Sequence, residues 1–188
     1  MSELPLRSEI DPAYRWELAA IYPDDEAWRA SLRALEESLP VLARFRGHLD
    51  SPAVLADWLE RWQAIQREFG RLFVYASCQQ AVDTTDQNAA ANYGQAVSLY
   101  AKVRAAAAFA EPEMLAIGAE RLLQWAEREP GLAIYHHYFD ALQRRQAHVR
   151  SPEVEELLGQ LLDPFRTAAD THGLMADADL TFDPARSS

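Results

Sequence analysis

One cysteine in 188 residues cannot form an internal disulfide, so packing has to hold this chain together. Cys78 sits in an apolar stretch with no histidine or second thiol near it in sequence. That setting predicts a buried structural thiol, not a nucleophile. Glycine is scarce too, at seven scattered residues, and no phosphate-cradling loop or nucleophile elbow can be read from them. Lys and Arg number 18 against 29 Asp and Glu, a net charge of −11. A nucleic-acid partner needs a basic surface to neutralise phosphate, so that class is excluded. No apolar run approaches the ~20 residues of a membrane helix. The opening MSELPLRSEIDPAYRW has neither an apolar signal core nor a cleavage signature. Together these absences predict a soluble, cytoplasmic chain with no membrane partner.

Residues that favour helix fill the space instead. Ala, Leu, Glu, Arg and Gln are abundant, and apolar positions recur at helical spacing. Residues 1–23, punctuated by Pro5, Pro12 and Pro23, read as irregular. Asp24 and Asp25 then cap a helix carrying Trp28, Leu32, Leu35, Leu39, Leu42 and Phe45, with Pro40 expected to kink or divide it and Gly47 to end it. Ser51-Pro52 opens the longest helix, to about residue 82, whose aromatic stripe of Trp58, Trp62, Phe69 and Phe73 reads as core. The turn Asp83-Thr84-Thr85-Asp86 follows, with Thr84 and Gln87 in capping-box spacing. Helices are then expected at about 87–109, with Tyr93, Val97, Tyr100 and Val103, and from Pro112 to Pro130-Gly131. Another should carry Leu132, Tyr135, Phe139, Leu142 and Val149, and a last one runs from Ser151-Pro152 to His172-Gly173 with a kink at Asp163-Pro164. The reading is an all-α, antiparallel domain of six to seven helices over 24–175. A tail, 176–188, holds a candidate strand at 179–182.

Several strings follow one another in a recognisable order. They are Arg15-Trp16-x-Leu18 with Ile21-Tyr22, Phe45-x-Gly47-x-Leu49, Arg71 to Ser77, then Asp83-Thr84-Thr85-Asp86. Further on come HHYFDALQRRQAHVRSPEVEELL from His136, and Ala178-Asp179-Leu180-x-Phe182. In this order the chain resembles the N-terminal region of oligoendopeptidase F, a zinc metallopeptidase family related to thimet oligopeptidase. The resemblance implies a helical wall of a peptide channel that limits substrate size. It also implies that zinc, held by His-Glu-x-x-His and a further Glu, lies in a downstream catalytic part. None of His48, His136, His137, His148 or His172 is followed by Glu, so no zinc ligand or general base transfers to this chain. The expectation is therefore a truncated chain with no catalytic, metal or cofactor-binding residue, silent alone. Its partners would be the missing catalytic part and, through it, short peptides; its exposed face could also pair with a second copy.

Two other readings stay open at this point. One is a stand-alone helical interaction module derived from the peptidase scaffold, which should expose few aromatics. The other is a metal site built from His136 and Asp140, four apart on one helix, with His137 or His148. The di-iron pattern Glu-x-x-His is excluded, because Phe45, Ala133, Ile134, Arg145 and Ala169 occupy the positions three before each histidine. His172 reads as a capping residue at the end of the last helix.

Overall fold

The computed structural model describes residues 9–83, 86–146, 171, 172 and 175. Six α-helices and no strand occur among them. The chain divides into two compact units, Met1–Gln143 and Arg144–Ser188, and the description below concerns the first. The expected last helix, its kink, the candidate strand at 179–182 and His148 lie outside the described residues.

Two short 3-10 turns, Pro12–Tyr14 and Leu18–Ala20, precede α1, Asp25–Ser38. Asp24 caps α1 by accepting from the Ala27 amide at 2.8 Å, as its place before an acidic first turn predicts. Pro40 has no N–H to continue the α ladder, and the chain tightens into a 3-10 helix, Leu39–Phe45. Leu32, Leu35, Leu39 and Leu42 nonetheless stay buried across the change. Gly47 then turns the chain at φ +79, and its amide donates to Glu113 Oε1 at 2.7 Å.

Helix α2, Pro52–Val82, is the spine. Helix α3, Gln87–Ala107, begins with Asp86 as its cap, accepting from the Asn88 and Ala89 amides. The helix starts close to the expected turn, where a carboxylate immediately before it satisfies two orphan amides at once; Thr84 of the expected capping box lies outside the described residues. Ring contacts give the helix directions. Phe73 meets Tyr93 and Phe69 meets Tyr100, so α3 runs antiparallel to α2. Trp28 reaches Leu72 while Asp25 reaches Gln79, so α1 also runs antiparallel to α2.

The single helix expected from Pro112 to Pro130 is two helices, α4 (Ala110–Ile117) and α5 (Ala119–Arg128). Gly118 divides them at φ +89, ψ 140, a conformation outside the reach of ordinary side chains. Pro112 is tolerated at the third position of α4, where its missing N–H would be unpaired anyway. A 3-10 helix, Pro130–Tyr135, then leads into α6, His136–Gln146, where one continuous helix was expected. Because open space surrounds a Cβ built at Gly118, Gly118→Ala carries backbone strain alone. We expect it to destabilise the protein by about 1–3 kcal/mol in urea unfolding. A loss below a few tenths would show that the turn relaxes freely.

Candidate functional site

Two features of the three-helix layer stand out chemically, and one of them faces inward. Asp25, in the first turn of α1, accepts from Gln79 Nε2 at 2.7 Å and Tyr75 Oη at 3.0 Å on one oxygen. Its other oxygen accepts from Asn92 Nδ2 at 3.0 Å and lies 3.6 Å from Arg29. Asn92 is 1 % exposed, the one buried polar residue among those described. Burial pushes the Asp25 carboxyl up, but the bonds from Gln79, Asn92 and Tyr75, with the Arg29 charge, outweigh it and hold it below the ordinary range. Burial, the bond to Asp25 and the nearby carboxylates push the Tyr75 hydroxyl up to about 12. Each member is satisfied by another, so the cluster ties α1, α2 and α3 together and offers nothing to a ligand. The sequence reading missed Asn92, although its place on the α3 stripe with Ala89, Ala96, Leu99 and Val103 was the available signal.

The second feature faces out. Tyr93, Phe73, Phe69 and Tyr100 form a continuous row of rings, with centroids 5.7, 5.8 and 5.4 Å apart in that order. Of the stripe expected to be core, Trp58 is buried, whereas Trp62, Phe69 and Phe73 are half-buried. On α3 the apolar residues separate into two rows. Val103 lies in the buried one, while Val97 and Tyr100 are 46 % and 47 % exposed. Val74 of α2 is exposed as well. Cys78, near the end of α2, is half-buried, which corrects the expectation of a buried thiol.

The remaining grooves carry less. An apolar one of about 320 Å³ is lined by Leu35, Val41, Leu42, Ala64 and Ile65, with Arg61 and Ser38 at its polar edge. Arg61 is already bonded to Asp57 at 2.8 Å, so the groove has little left to orient a ligand.

His48, His136, His137 and His172 are all exposed, and Asp140 is half-buried. No group of three or more His, Cys, Asp or Glu able to hold a metal occurs among the described residues. With no His-Glu-x-x-His in the sequence either, the donors present do not fit the zinc that the resemblance implies. No described helix is long and apolar enough to cross a membrane.

Residues 113–182 match the family described as Oligopeptidase F. Oligopeptidase PepF of Bacillus subtilis is 30 % identical over 182 residues, 96 % of this chain and 27 % of that protein. Group B oligopeptidase PepB of Streptococcus agalactiae is 30 % identical over 94 % of this chain and 30 % of its own length. The solved oligoendopeptidase-F of Enterococcus faecium superposes with a TM-score of 0.68 at 30 % identity, over 85 % of this chain and 32 % of that one. The chain thus spans 27–30 % of the length of these two curated relatives.

Proposed function

We propose that this chain, which corresponds in sequence and in fold to the N-terminal region of oligoendopeptidase F, works as the helical wall of a cytoplasmic oligopeptidase. On this reading it lines a channel for short peptides and limits their size, while zinc and the attacking water belong to a separate catalytic part. The outer α2–α3 face carries the proposal. A contiguous row of rings ending in exposed Tyr100, with Val74 and Val97 exposed on the same two helices, is a surface that peptide side chains can share. A stand-alone module has no corresponding reason to leave this face open.

The test is to mix the pure chain with zinc and a short apolar peptide carrying a fluorophore and a quencher. Binding without cleavage is expected, with resonance shifts centred on Val74, Val97 and Tyr100. Turnover above the buffer rate would overturn the silent-wall reading, and so would the absence of any binding at millimolar peptide.

A further inference from the structure

The exposed row on α3 continues past its aromatic residues. Tyr93, Val97, Tyr100 and Arg104 follow one another at helical spacing, so they share one face. Phe73 and Phe69 of α2 back Tyr93 and Tyr100. Neither the Tyr93 nor the Tyr100 hydroxyl has a hydrogen-bond partner among the described residues. Arg104 pairs with no carboxylate among them, whereas neighbouring Lys102 is taken by Glu36 at 2.5 Å. In a chain of net charge −11, this leaves an uncommitted cation at the end of an uncharged aromatic row.

We propose that this row is a cradle for the C-terminal end of a short, apolar peptide. The rings take its side chains and the two tyrosine hydroxyls donate to its backbone carbonyls. Arg104 pairs with its terminal carboxylate. From Tyr93 to Arg104 is about 16 Å of helix, the span of about five extended residues. A guanidinium suits this task because its planar donors match a carboxylate. The cradle deepens the channel-wall reading and rests on it. A wall that holds the free end of a peptide favours short substrates by recognising the terminus, in addition to any limit set by the width of a channel.

The test uses the intact chain and an N-acetylated pentapeptide of Ala, Leu and Phe, prepared as the free acid and as the C-terminal amide. Calorimetry should find the acid bound about fivefold tighter, the usual reach of one exposed charge pair. Arg104→Gln should abolish that preference, bringing the acid down to the affinity of the amide. Tyr100→Ala should weaken both forms. Arg104 and Tyr100 are exposed, so neither change threatens folding, and thermal unfolding of each variant checks this. If acid and amide bind equally well to the unaltered chain, the cradle is overturned and the wall reading survives. If neither binds, both fall.

Discussion

Trp28→Ala should cost about 3–5 kcal/mol of folding stability, a large share of what a domain of this size possesses. Trp28 is fully buried, packs flat against Tyr75 at 6.3 Å, and donates from its indole to the Leu72 carbonyl at 3.0 Å. Truncation removes the largest side chain at the α1–α2 contact and leaves a cavity that two well-anchored helices cannot close. Trp58→Phe is the informative control. Trp58 is also buried, but its indole N–H has no partner among the described residues, so losing that nitrogen removes an unmet donor. The phenyl ring still fills most of the space between Trp62 and Phe109. Chemical denaturation should rank Trp58→Phe well above Trp28→Ala. Equal losses would mean that neither the larger cavity at Trp28 nor its hydrogen bond sets the cost.

The helical architecture was legible because its signals are local. Asp24 before an acidic turn, Pro40 inside an apolar stripe and Pro52 after Ser51 each act within one or two helical turns, and each behaves as its chemistry demands. Gly118 was misread for the same reason. A glycine inside an amphipathic stretch costs a helix only about 1 kcal/mol, so the pattern gives no hint that its φ is positive. Which face of α3 is core was less legible. Tyr93, Val97 and Tyr100 are more apolar than Ala89, Asn92 and Ala96, yet the small residues go inward. Close approach of α1 and α2 leaves room for alanine and one amide there, and the aromatic residues are displaced to the outer edge. A hydrophobicity reading favours the larger side chains and so assigns this outer face to the core. The polar cluster could not be read either, because Asp25, Gln79 and Asn92 meet only once three helices have packed.

That cluster should also set the response of stability to pH. Folding holds the Asp25 carboxyl below its ordinary pKa of 3.8, so it contributes stability that is complete above that value. The contribution drains away as pH falls through the lower, folded value. Tyr75 and Tyr22 shift the other way, from 10.0 to about 12, Tyr22 chiefly through burial and its 2.5 Å bond to Glu68. A raised pKa stabilises fully below pH 10, and the benefit is lost as pH climbs towards 12. The plateau should therefore lie between about pH 4 and 10, with Asp25 contributing to its acid side. Asp25→Ala should cost about 2–3 kcal/mol at pH 7, since it removes the shared acceptor of Tyr75, Gln79 and Asn92 and leaves the Asn92 amide nitrogen only its 3.3 Å bond to Gln79. Asp25→Asn should cost less and flatten the acid limb. Unfolding midpoints of the three proteins from pH 2.5 to 7 measure both effects. An unchanged acid slope in Asp25→Asn would assign acid sensitivity to other carboxylates and reduce the cluster to a neutral hydrogen-bonded tie. A flattened slope would make this one carboxylate the charge on which the α1–α2–α3 layer depends.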